Sequence, residues 1–330
     1  MGEMKVQSLV AIGLTLALAG VAHAERFIFQ RGSALYSASR DGKESRKLLD
    51  ISAGAGVLWA ASPDGRRIVW AKTTSKESEG SLAARPLTLY LTDITGRRQK
   101  RLLSTDSLTD RQGHKVTEVG ETALSGPNTT LADWSPVSLS WSADGRTLYL
   151  GCTRVGAAAG VMTVTMDAQV GTALVDSEGR WKCLGSVTQP DARSTYLAAV
   201  SIGRESGAAP LMICNLAVGN AWTPVPPLGG APVYGAALWP ALAPNGKSVV
   251  FASVPRGLWL AEGPGLQTRR LVNGEVARPR FSEDGKTVLF LSPRPTTSDK
   301  IAYDLYELPL GGTTPKVVLS DVDWFDLVAD

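Results

Sequence analysis

Apolar and polar residues alternate with a two-residue period in short stretches along most of the chain. That period is the mark of β-strands with one face turned inward. Trp141–Arg154 (WSADGRTLYLGCTR) is the clearest unit: an aromatic closes one strand, a Ser-x-Asp-Gly turn follows, and the strand Thr147–Cys152 runs out at an arginine. Asp accepts hydrogen bonds from backbone two residues on, and Gly supplies the positive φ that a short hairpin needs. The unit recurs at Ser62–Lys72, Ala243–Arg256 and Ser282–Arg294, and in a worn form at Gln189–Arg204, where Ala192 replaces the turn glycine. Repeats spaced by roughly 40–50 residues point to a propeller or a solenoid.

A second hairpin follows each unit. Third strands are expected at Ala34–Ala38, Leu87–Thr92, Val161–Met166, Leu211–Leu216, Gly257–Ala261 and Tyr303–Leu308. Fourth strands are expected at Lys47–Leu49, Arg101–Leu103, Ala173–Val175, Thr223–Leu228, Arg270–Val272 and Val317–Leu319, with Pro226 and Pro227 confining one of them to an outer edge. The last apolar segment, Val322–Val328, has no blade of its own, and pairing it beside Phe27–Gln30 would remove the open edge. The expected fold is all-β: a six-bladed β-propeller closed by pairing of the C-terminal strand with the N-terminal blade.

Phe281–Arg294 with Tyr303–Leu319, and Phe27–Leu49, carry the sequence of turn, apolar strand, arginine and short aromatic strand. In this they resemble the TolB-like (WD-like) β-propeller repeat family. The resemblance covers nearly all of residues 25–330 and implies the fold while saying little about activity. The α/β domain that precedes the propeller in TolB has no match in this sequence.

Residues 1–24 read as a cleaved signal peptide. Lys5 is followed by the apolar run Leu9–Val21 and by Ala22-His23-Ala24, a small-x-small cleavage site, with the cut after Ala24. A periplasmic or secreted protein is expected, with 25–330 as one propeller, no transmembrane segment and a monomeric state. The net charge of +3 is too small to argue for nucleic acid. Cys183 and Cys214 fall on the first and third strands of one blade. Two inter-strand spacings separate them by about 9–10 Å, beyond disulfide reach, so buried thiols are expected there and at Cys152.

Strand order sorts the loops. Turns between strands one and two share one face with those between strands three and four. The long segments Thr73–Pro86, Ser104–Asp133, Gly203–Pro210 and Ser292–Ala302 fall on the opposite, second face, where a ligand is expected. Second strands end at or near Arg31, Lys72, Arg154, Arg204, Arg256 and Arg294. Symmetry would set these as an electropositive ring on that face, with His114 in a neighbouring loop. The competing expectation is that each basic residue pairs within its own blade. Trp59, Trp141, Trp239, Phe281 and Trp324 are expected as wedges between blades; a sugar platform would need them exposed on the second face. Asp321, Asp323 and Asp326 could offer oxygens to Ca²⁺, although solvated strand ends are the expectation and no metal or cofactor is assigned.

Catalytic motifs are missing. His114 is the one histidine after the signal, no G-x-S-x-G elbow occurs, and no phosphate-binding G-x-x-x-x-G-K-[ST] loop occurs. Oligogalacturonate lyases resemble these propellers, but their metal site draws on several histidines. The expectation is a non-enzymatic scaffold that binds a protein or peptide through its long-loop face. The alternative is a carbohydrate-binding or carbohydrate-active propeller using loop carboxylates such as Glu77, Glu79, Glu118, Glu121 and Glu205.

Overall fold

The computed structural model describes residues 25–51, 58–73, 87–104, 134–142, 144–154, 159–167, 182–191, 194–201, 211–215, 222–225, 238–253, 257–263, 265–295 and 301–329. All regular structure among them is β-strand. In chain order the strands are β1 (Glu25–Arg31), β2 (Ala34–Ser39), β3 (Arg46–Asp50), β4 (Leu58–Ala61), β5 (Arg67–Thr73), β6 (Leu87–Asp93), β7 (Lys100–Ser104), β8 (Trp134–Trp141), β9 (Thr147–Arg154) and β10 (Ala159–Thr165). They continue as β11 (Lys182–Asp191), β12 (Ser194–Ser201), β13 (Leu211–Asn215), β14 (Trp222–Pro224), β15 (Leu238–Leu242), β16 (Val249–Ser253) and β17 (Gly257–Glu262). The last are β18 (Gln267–Asn273), β19 (Ala277–Phe281), β20 (Thr287–Arg294), β21 (Ala302–Pro309), β22 (Lys316–Leu319) and β23 (Trp324–Ala329).

Sheets β4–β7, β11–β14, β15–β18 and β19–β22 are antiparallel meanders, and β23-β1-β2-β3 forms a further four-stranded sheet. The structure therefore corrects the blade count: complete four-stranded blades among the described residues number five, not six. The remaining sheet, β8-β9-β10, has three strands. Its expected fourth strand, Ala173–Val175, lies outside the described residues. Each sheet packs against the next in chain order, and β19 of the last sheet meets β23 of the first.

The closing strand behaves as the alternation predicts. β23 pairs antiparallel with β1, from Glu25↔Ala329 to Gln30↔Trp324. The innermost position in the first sheet thus belongs to the end of the chain. Strand alternation also explains why the blades are apolar on both faces. Phe27 and Phe29 pack with Leu289, Leu291 and Phe325 toward the β19–β22 blade. Ile28 packs with Trp59, Ile68 and Val328 toward the β4–β7 blade.

The turns form as read. Ser62 Oγ donates to Asp64 Oδ1, and Asp64 Oδ1 accepts from the Arg66 N–H at 3.1 Å. The same geometry recurs around Asp144 and Asp284. Gly65 sits at φ 63°, and a Cβ there would lie 2.8 Å from the Ala329 carbonyl oxygen, so this glycine also lets the turn meet the closing strand. No helix among the described residues is long and apolar enough to cross a membrane. The signal-peptide reading of 1–24 lies outside the described residues.

Candidate functional site at the hub mouth

First strands surround the hub, and their N-terminal ends lie on the second face. Two of them are interrupted in the same way. In β15 the pairing steps from Leu238↔Ala252 to Ala241↔Val250, and in β19 from Ala277↔Leu291 to Arg280↔Leu289. Each strand inserts an extra residue, a β-bulge. The cause is in the sequence: Pro240 and Pro279 cannot donate to a ladder and are tolerated where it breaks. The residues before them, Trp239 and Arg278, hold left-handed backbone at φ 47° and 51°. Such strain costs on the order of 1–3 kcal/mol per residue and gathers at functional sites.

The bulges bring these side chains together. The Arg278 guanidinium carbon lies 3.1 Å from the centroid of the Trp324 ring and 5.8 Å from that of Trp239. Trp324 leans on Trp59 at 6.2 Å. Trp59 is fully buried and its Nε1 donates to Gln30 Oε1 at 3.0 Å. Trp239, at the other end of this stack, is 41% exposed. Trp59, Trp141 and Phe281 are buried wedges as expected, and Trp141 Nε1 donates across the blade boundary to the Ala60 carbonyl at 3.1 Å. Trp239 is the exception, because its bulge turns it out.

Below the stack, Arg280 Nε lies 3.9 Å from Asp326 Oδ1, and Asp326 Oδ2 accepts from the Ala61 N–H at 3.1 Å. Burial pushes the Asp326 carboxyl up, while Arg280 and the backbone N–H groups of Ala61 and Leu327 oppose it. The folded carboxyl therefore holds its proton after the unfolded one has lost it. Stability of the native protein relative to Asp326→Asn should fall as pH rises from about 4 to the raised folded value, and level off above it. Urea unfolding of both proteins across that window checks this, and a constant difference would contradict it. Burial, with Arg280 adding to it, pulls Arg278 down to about 9, which leaves it cationic at neutral pH. Among the described residues no carboxylate pairs with Arg278.

The rim arginines are engaged differently. Arg31 Nε donates to the Asp321 carbonyl at 2.9 Å and Nη2 to the Ser320 carbonyl at 2.7 Å, with Asp321 Oδ2 at 3.5 Å. Arg294 Nη1 lies 3.5 Å from Oδ1 of the buried Asp304, which also accepts from the Asp321 N–H. Arg294 thus pairs within its own blade, and Arg31 holds the link between β22 and β23. Replacing Arg294 with Gln leaves Asp304 short of its cation and should cost about 1–3 kcal/mol, read from thermal or urea unfolding; no loss would mean the pair is idle. Lys72 lies within β5 and Arg154 ends β9, and only their backbone positions are described. Arg204, Arg256 and His114 lie outside the described residues, as do Glu77, Glu79, Glu118, Glu121 and Glu205.

The three acids near the C-terminus do not converge. Asp321 meets Arg31, Asp323 Oδ2 accepts from the Gly32 N–H at 2.7 Å, and Asp326 turns to the hub. No group of three His, Cys, Asp or Glu side chains among the described residues could hold a metal. Cys183 and Cys214 stand on β11 and β13 with β12 between them. Cys214 is a buried thiol, pushed up to about 11 by burial.

No protein-family model and no curated protein matches the chain. Solved structures do. TolB from Acinetobacter baumannii superposes with a TM-score of 0.58 at 13% identity, over 93% of this chain and 67% of that one. The fold is a TolB-like propeller. A periplasmic gluconolactonase from Pseudomonas aeruginosa matches this TolB-like propeller with a TM-score of 0.53 at 14% identity, over 93% of this chain and 99% of the other. An oligogalacturonate lyase in complex with manganese matches at 0.51 and 14% identity, over 90% and 78%.

These likenesses correct the expectation that the TolB-like propeller is not an enzyme: the fold is shared by enzymes as well as TolB, and catalysis is open to it. The physical reason is that a propeller hub gathers side chains from separate first strands. Catalytic groups assembled this way leave no local motif, so missing elbows and loops do not exclude them. Arg278 escapes the sequence reading for the same reason, and Trp239 reads there first as a wedge, although the in-strand prolines of LWPAL and ARPRF signal their bulges.

Proposed function

We propose that this TolB-like propeller is a carbohydrate-active protein that takes its saccharide at the hub mouth of the long-loop face, outside the cytoplasm. The observation that carries the reading is Trp239: a large aromatic, 41% exposed, held at the hub by a strained bulge beside Arg278. Ligand sites join apolar walls to a few fixed polar groups in a concave place. Here Trp239 supplies a stacking face, and Arg278 and Arg280 supply donors. Enzymes of sugar acids and sugar lactones on the same fold add support. A protein-binding scaffold would favour a broad apolar patch, whereas the exposed large apolar residues among those described are Leu238, Trp239, Ile301 and Val317.

A glycan-array screen of the labelled protein tests this, followed by product analysis of whatever saccharide binds. Saccharide hits that Trp239→Ala abolishes are expected. An array without hits, or hits indifferent to Trp239, would overturn the reading.

A further inference from the structure

Among the described side chains, charge around the hub does not balance. Three other arginines of the second face and hub have their own acids: Arg31 has Asp321, Arg294 has Asp304 and Arg280 has Asp326. Arg278 has aromatic faces instead, with Trp324 at 3.1 Å and Trp239 at 5.8 Å. Asp326 turns to Arg280 and to the Ala61 and Leu327 N–H groups instead. Shielded charges are ordinarily paired, because removal from water is costly. Strained left-handed backbone at Arg278 adds a second cost with no structural return among its described contacts.

Resting on the saccharide reading, we infer that Arg278 is the specificity-determining residue of the hub mouth, and that the ligand is a saccharide bearing a carboxylate. A guanidinium stacked on an indole face keeps its N–H fork in the ring-parallel plane, suited to two parallel hydrogen bonds with a carboxylate. Trp239, at the exposed end of the stack, would then carry the sugar ring that bears this group. The anion-reading element is thus one arginine on a first strand, not a ring of arginines ending second strands.

Isothermal titration compares three probes on the full protein: a glucose tetrasaccharide, the corresponding glucuronate tetrasaccharide, and sulfate alone. The native protein should bind glucuronate about 10- to 100-fold more tightly than glucose, the range expected of a hydrogen bond to a charged group, and sulfate weakly. Arg278→Gln should bring the two tetrasaccharides to within about twofold of each other. Should Arg278→Gln fail to fold, Arg278→Lys is read instead, with a preference between the two. Equal binding of both tetrasaccharides by the native protein, or a preference as large as the native one in Arg278→Gln (or in Arg278→Lys where that is read), would overturn this inference and leave the saccharide reading standing. Binding of neither tetrasaccharide would remove the saccharide reading and this inference with it; sulfate bound as tightly as glucuronate would assign Arg278 to simple anions and overturn the inference.

Discussion

Replacing Phe325 with alanine is expected to lower the stability of the protein by about 3–5 kcal/mol, the cost of emptying a large aromatic site. Domains are stable by about 5–15 kcal/mol, so one substitution would bring this one near unfolding. The size follows from position. Phe325 is 1% exposed and packs with Phe27, Phe29, Leu289 and Leu291, where the last blade meets the first. It also stands on β23, opposite Phe29, in the pairing that joins the two ends of the chain. Loosening that contact frees a sheet edge as well as opening a cavity. Val317→Ala is the control, since Val317 is 44% exposed on an outer strand and should change stability by less than about 0.5 kcal/mol. Urea unfolding of both variants separates the outcomes. A loss at Phe325 no larger than that at Val317 would mean closure contributes little.

Trp239→Ala is expected to weaken saccharide binding at least about 30-fold, the loss associated with truncating an aromatic hot spot, while the melting temperature barely moves. Binding falls because the stacking face is removed. Stability holds because the side chain is 41% exposed, so its removal uncovers little of the core. Trp239→Gly sharpens the test: glycine adopts the left-handed backbone freely, so this variant should be no less stable than Trp239→Ala yet equally unable to bind. Calorimetric titration and thermal unfolding read the two effects separately. Binding and stability lost in proportion would make Trp239 a wedge after all.

The contrast between these residues shows what the sequence could carry. Ser-x-Asp-Gly turns and two-residue alternation are local, and strands such as β20 and β21 formed where those signals put them. The closing strand was legible because Val322–Val328 is apolar and has no other partner to pair with. The blade count differs at the sheet β8-β9-β10, whose expected fourth strand, Ala173–Val175, lies outside the described residues. Arginines at the ends of second strands drew attention because they repeat; of the two with described side chains, Arg294 pairs with an acid of its own blade and Arg31 holds the link into the closing strand. Trp239 repeats as a first-strand aromatic but not as an exposed one, and Arg278 does not repeat. Their importance arises from bulges that Pro240 and Pro279 impose and from the ring that brings β15, β19 and β23 together, and neither is visible in any one stretch of chain.

A crystal structure of the protein soaked with a saccharide that it binds addresses the hub mouth most directly. The predicted result is a sugar ring within about 4 Å of the exposed face of Trp239, with an acidic group about 2.7–2.9 Å from the Arg278 guanidinium nitrogens. A saccharide bound on the Asp-Gly turn face, or at the blade edges with the hub empty, would contradict it.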